Sequence, residues 1–129
     1  MDNGSIKILL VDDEPDILEI VGYHLKKEGY QVFKASKGTE AVVNAKVIQP
    51  HLILLDIMMP DMDGIEACEY ICNIAGLENV IIAFFTAIGE DYSQVAGFEA
   101  GADDYITKPV KLKVLVSKVR GVLRRLMCQ

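Results

Sequence analysis

The stretch Leu54–Gly64, LLDIMMPDMDG, runs an apolar segment straight into a carboxylate, Asp56. A second apolar segment, Ile6–Val11, ends the same way, in Asp12, Asp13 and Glu14. Two others lead into different polar groups: Thr86 follows VIIAFF, and Lys108 with Pro109 follows Tyr105–Ile106. Brought together, Asp12, Asp13 and Asp56 would repel one another and would require protons or a cation. A small set of hard oxygen ligands suits Mg2+, which keeps several of its waters. Lys108 would add a compact positive charge on a long stem, and Thr86 a hydroxyl donor. A carboxylate balanced by a metal and a lysine is a candidate nucleophile. The group such partners stabilise best is a phosphoryl in transfer.

That chemistry requires the segments to be neighbours. Ile6–Val11, Tyr30–Ala35, Leu52–Leu55, Val80–Phe85 and the weaker Tyr105–Ile106 are strand-sized and mostly continuous rather than alternating. Strands covered on both faces of a parallel sheet look like this. Helical segments fall between them. The first starts at Pro15, carries Ile17, Leu18, Val21 and Leu25 on one face, and stops at Gly29. The second is predicted over Gly38–Ile48, ended by Pro50. The third follows Gly64 with Ile65, Cys68, Ile71, Cys72 and Ala75 on one side, and the fourth spans about Asp91–Ala100. The last repeats Leu112, Leu115, Val119, Val122 and Leu126, which without sustained heptads reads as a helix packed on a sheet.

Alternation of this kind predicts an α/β fold, a doubly wound five-stranded parallel sheet with right-handed crossovers. Ligands of such sheets bind beyond the carboxyl ends of the strands. In the order 2-1-3-4-5, strand one lies between strands two and three. Asp12, Asp13 and Asp56 then converge, with Thr86 and Lys108 on the rim.

The chain has 129 residues, is 51% apolar and 25% charged, and carries a formal net charge of −6. This fits one globular domain, residues 1–129 with a core over about 6–125, and argues against nucleic-acid binding, which favours a basic face. Cys68, Cys72 and Cys128 are odd in number and follow no framework spacing, so they read as free thiols of a reducing compartment. No apolar run approaches the length of a membrane span, and the N-terminus lacks a basic leader, which leads us to expect a cytoplasmic protein.

The stretches ILLVDDEPDI, LILLDIMMPDMDGIE, FFTA and GADDYITKP, in this order, resemble the receiver domains of two-component response regulators, a flavodoxin-like family. The resemblance implies that Asp56 is the phosphoacceptor, loaded by a histidine kinase or phosphotransfer protein. It implies Mg2+, with Mn2+ as a possible substitute, held by Asp13, Asp56 and the Met58 backbone carbonyl, and by Asp12 through water. Lys108 would pair with Asp56 or the phosphoryl oxygens, and its bond to Pro109 is expected to be cis. Thr86 would turn to the phosphoryl group, and Tyr105 would rotate into the space it leaves. The output would be a changed surface over helix four, strand five and helix five, controlling a transcriptional effector.

Plainer readings exist for several of these residues. Asp12, Asp13 and Glu14 suit a turn that caps a helix. Thr86 suits a strand-end hydroxyl, and Tyr105 a half-buried strand aromatic. Asp61 and Asp63 sit in turn chemistry, PDMDG, with Asp63 placed to cap the third helix. Met58 and Met59 would suit a soft metal, but hard oxygens dominate the site. His24 and His51 have no partner motif and read as surface residues.

Receivers of winged-helix regulators often dimerise through a charge pair whose positions here are Gln94 and Val114, so that pair is missing, whereas Asp104 and Arg125 keep another. A monomer or a weak phosphorylation-dependent dimer is expected. No effector domain follows Gln129, so the chain reads as a stand-alone receiver or a piece of a longer regulator. The resemblance also implies that the side chains two places after Asp56 and two after Thr86 control water access; here they are Met58 and Ile88, bulky and apolar, so slow self-dephosphorylation is expected. An aspartyl-phosphate phosphatase would place an acid at position 58, and a constitutive interaction module would not need all five site residues.

Overall fold

The computed structural model describes residues 2–87, 96, 98–108 and 111–127, the side chains of Arg125 and Met127 excepted. A 3-10 turn, Asn3–Ser5, leads into β1 (Lys7–Val11), α1 (Pro15–Lys27), β2 (Gln31–Ala35), α2 (Gly38–Ile48), β3 (Leu52–Leu55), α3 (Gly64–Cys72), β4 (Ile81–Ala87), β5 (Asp104–Lys108) and a C-terminal helix (Leu112–Met127). The strands form one parallel sheet in the order β2-β1-β3-β4-β5. The doubly wound α/β sheet expected from the sequence is the observed one. Most of the predicted fourth helix lies outside the described residues; Ala96, Phe98 and Glu99 in it are helical.

Strand alternation sorts the core into two layers. Ile8 and Leu10 of β1, Leu52 and Leu54 of β3 and Ala83 and Phe85 of β4 face α1 and the C-terminal helix. Leu9, Val11, Ile53, Leu55, Ile82 and Phe84 face α2 and α3. Both sides of the central strands are covered, which is why their sequences are continuous runs of Ile and Leu. Each fully buried side chain of this size contributes about 1.5–3 kcal/mol of transfer free energy.

The helix ends follow local chemistry, with some departures from expectation. Pro15 occupies the first turn of α1, and Gly29, at φ 101°, turns the chain beyond its end. Gln49 caps the C-terminus of α2 in the left-handed region at φ 56°, ahead of Pro50. Asp63 caps α3, its Oδ1 accepting from the Glu66 N–H at 2.9 Å. That helix stops at Cys72, so Ala75 lies beyond it, exposed, and Leu77 is the next buried residue. His51 is half-buried rather than on the surface; its Nδ1 accepts from the Lys7 N–H at 3.0 Å, and burial and the Lys7 charge hold its pKa below the usual value. His24 is likewise half-buried.

Two contacts secure the loop between β3 and α3. The Lys37 side chain makes no capping bond at the start of α2. Asp61 serves instead from that loop, accepting from Gly38 N–H at 3.0 Å, Thr39 N–H at 3.1 Å and the Thr39 hydroxyl at 2.7 Å. These bonds, led by the Thr39 hydroxyl, hold its pKa far below the carboxylate range. Gly64 N–H donates to the Ile57 carbonyl at 2.8 Å, and a Cβ at Gly64 would overlap the Asp56 carbonyl oxygen. Only glycine lets α3 begin this close to that strand end.

Gly64→Ala is therefore expected to destabilise the fold by about 1–3 kcal/mol in urea unfolding and to shift the backbone amide resonances of Asp56 and Ile57. Asp61→Ala is expected to lower the unfolding midpoint at neutral pH. A depressed folded pKa stabilises above the unfolded value, about 3.9, and that contribution fades as pH falls through the folded value. The gap between Asp61→Ala and the parent should therefore be constant above about pH 5 and narrow below about pH 4.

Candidate functional site

The carboxyl ends of β1 and β3 are adjacent, so the residues that follow them are forced together. Asp12 N–H donates to the Ala35 carbonyl of β2 at 3.1 Å, and Asp56 N–H to the Val11 carbonyl of β1 at 3.0 Å. These bonds extend the sheet ladder by one residue and hold both aspartates at its edge. Asp12 is 0% exposed and Asp56 4%, whereas Asp13 faces solvent. One oxygen from each of Asp12, Asp13 and Asp56 lies within 4.8 Å of the others. By strand parity Asp12 and Asp56 lie on the side of α1 and the C-terminal helix.

Lys108 supplies the nearest positive charge. It is the last residue of β5 rather than the first beyond it, and points to that same side, as Ile106 does two residues earlier. Its Nζ is 2.6 Å from Asp12 Oδ2 and 3.8 Å from both Asp56 Oδ2 and Glu14 Oε1. Asp12, not Asp56, is thus its closest partner. Glu14 was grouped with the acids in the sequence but not recognised as a lysine partner. The ammonium also lies 5.2 Å from the centroid of the Phe85 ring, a contact that sequence reasoning missed.

Asp56 itself is poised. Met58 N–H donates to its Oδ1 at 3.4 Å, and the Thr86 hydroxyl also donates to it. Its pKa is pushed up to about 6, chiefly by burial, with Asp12 adding to the rise and Thr86, Lys108 and Met58 opposing it. One lysine therefore does not offset burial and the neighbouring Asp12 together. Hard oxygens with excess negative charge, partly open to solvent through Asp13, match what Mg2+ requires. The donor set fits that ion.

The other predicted residues divide. Thr86 is 2% exposed and lies inside β4, one residue before its end. Tyr105 sits beneath the opposite face, its ring edge-on to Phe84 at 6.3 Å and 64°, its hydroxyl buried without a hydrogen-bond partner. The Met58 side chain is 73% exposed at the mouth of the site. Asp61 and Asp63 stay out of the acidic group and cap helices. Pro109, Ile88 and Gln94 lie outside the described residues, as does the Arg125 side chain. Cys68 and Cys72 are free thiols, Cys68 buried in the layer against α3.

Residues 8–120 match the model of the response regulator receiver domain. The chain is 41% identical over 119 residues to the alkaline phosphatase synthesis transcriptional regulatory protein PhoP of Bacillus subtilis, covering 92% of this chain and 49% of that protein. It is 36% identical over 119 residues to the DNA-binding dual master transcriptional regulator RpaA of Synechocystis, with the same coverage, 92% and 49%. The chain thus spans about half the length of these curated relatives. A two-component response regulator from Clostridium difficile superposes with a TM-score of 0.88 at 32% identity, covering 95% of this chain and 98% of the other. Together with the sheet order, these likenesses show that the chain belongs to the response regulator receiver domain family of two-component signalling.

Proposed function

We propose that this chain is a phosphoacceptor switch in which Asp56 takes a phosphoryl group from a histidine kinase or phosphotransfer protein. The observation that carries the reading is the convergence of Asp12, Asp13 and Asp56 with Lys108 at one edge of the sheet. An Asp56 oxygen bonds to phosphorus while the donor's bond to phosphorus breaks and the donor leaves with the electron pair. The donor fragment is an imidazole from a phosphohistidine, or acetate from acetyl phosphate. Lys108 turns its N–H groups to the phosphoryl oxygens, where negative charge concentrates. Asp12, Asp13, Asp56 and the Met58 backbone carbonyl would hold Mg2+, or Mn2+ in its place, which when bound neutralises charge on the phosphoryl oxygens.

The product stays on the protein, so the chain is a switch rather than a turnover enzyme. As an acyl phosphate, Asp56 no longer presents the carboxylate that Thr86 now bonds, and the hydroxyl turns to the phosphoryl group. Tyr105 follows into the vacated space; its hydroxyl, buried without a partner, leaves it little to lose by moving. The changed surface spans residues 91–100, β5 and the C-terminal helix, where it controls a transcriptional effector. Val114, exposed where a charged dimer contact would stand, favours a monomer or a weak phosphorylation-dependent dimer. The apolar Met58 at the mouth, with no acid two residues after Asp56, favours a long-lived phosphoryl group and disfavours a phosphatase.

Intact-mass analysis after incubation with acetyl phosphate and Mg2+ should show one added phosphoryl group, absent in Asp56→Asn and absent when the metal is chelated. Lys108→Ala should slow its formation by about 10²-fold. A parent chain that takes no adduct would leave a constitutive interaction module as the better reading. The adduct's decay, followed by mass after donor removal, is expected to take minutes or longer and to quicken in Ile88→Ala; decay within seconds in both would sink the lifetime assignment.

A further inference from the structure

Lys108 ends β5 and Asp12 follows β1, and in the sheet order β3 and β4 lie between them. Neighbouring strands are about 4.8 Å apart. The lysine stem must therefore lie across the end of the sheet to bring its ammonium 2.6 Å from Asp12 Oδ2. The first strand it crosses is β4, and on that face β4 presents Phe85. The ammonium stands 5.2 Å from the Phe85 ring centroid, within range of the negative π face.

The cation thus has acids on one side and an aromatic ring on the other. Asp12, Glu14 and Asp56 all attract it, and Asp12 is nearest. Phe85 is 4% exposed, so little water competes for its ring. An aliphatic side chain here would fill the same core space against Leu115 and Val21, yet would offer the ammonium nothing. With only carboxylates to answer, the lysine would settle on Asp12 and Glu14, away from Asp56.

We infer that Phe85 is a positioning residue: its ring face holds the Lys108 ammonium within reach of Asp56. Phe85 touches no reacting atom and acts through Lys108 alone. The inference rests on the phosphoacceptor reading above and goes beyond it by assigning a role to an apolar core side chain.

The test compares the parent chain with Phe85→Leu, which removes the ring, and Phe85→Tyr, which keeps it. The groove of about 450 Å³ lined by Phe85, Ile17, Ile20 and Leu112 gives the added hydroxyl a way out. Two readouts are taken. The first, without any phosphodonor, is the ring-current shift of the Lys108 ε-methylene protons by NMR. It should lie upfield in the parent and in Phe85→Tyr, and be lost in Phe85→Leu. The second is the rate of adduct formation from acetyl phosphate and Mg2+. It should fall about threefold to tenfold in Phe85→Leu and recover in Phe85→Tyr. Urea unfolding monitors the fold, and Phe85→Met, also ringless, replaces the leucine variant if that does not fold. An unshifted lysine in the parent, an undiminished rate in the ringless variant, or an equal loss in both variants would overturn the inference. A parent that shows the shift but never takes a phosphoryl group would overturn the phosphoacceptor reading, and the role of Phe85 in transfer with it.

Discussion

Crowding of like charge at the end of β1 and β3 is the constraint around which the molecule is arranged. Two aspartates, Asp12 and Asp56, are almost wholly withdrawn from water, and a third, Asp13, stands beside them. Ionised carboxylates placed this way are costly unless a counter-charge is fixed nearby. The sheet fixes one by holding Lys108 at the end of the farthest strand and sending it back across two others. The pKa of Asp56 stays raised even so, chiefly because the group is buried and further because Asp12 stands beside it. The fold therefore maintains an electrostatic deficit at one point, and it can do so because the covered sheet beneath is apolar and rigid.

The loop between β3 and α3 keeps that point in place from the other side. Asp61 has the residue type of a metal ligand, yet its three accepted bonds tie the loop to the start of α2. Asp63 fastens the same loop to α3, and Gly64 lets the helix begin against the Asp56 backbone. Of the aspartates Asp12, Asp13, Asp56, Asp61 and Asp63, the first three gather charge and the last two cap helices. Local hydrogen-bonding geometry, rather than residue type, separates the two groups.

Much of this was legible in the sequence because the signals were strong. Continuous apolar runs located the strands, and their alternation with helical periods implied the parallel sheet and its edge. The convergence of Asp12, Asp13 and Asp56 followed from strand order alone. What was not legible depended on distances across the sheet. Which acid Lys108 meets first is decided by how its stem lies, and the role of Phe85 beneath it has no local signature. The early end of α3 at Cys72 was missed because Ala75 continued the helical period while the Asn73–Gly76 stretch broke it. His51 looked solitary because its partner is a backbone N–H contributed from β1.

Strand β4 leaves the sheet between the two halves of this arrangement. Phe85 looks toward α1, the C-terminal helix and the lysine; Thr86, next in the chain, is turned toward the face that holds Phe84 and Tyr105. Successive side chains of a strand report to opposite faces, with a rise of only about 3.3 Å between them. Both residues are still paired with β5, Phe85 opposite Ile106 and Thr86 opposite Thr107. One short, held stretch of strand thus addresses two partners of the same centre, the lysine from one face and Asp56 from the other.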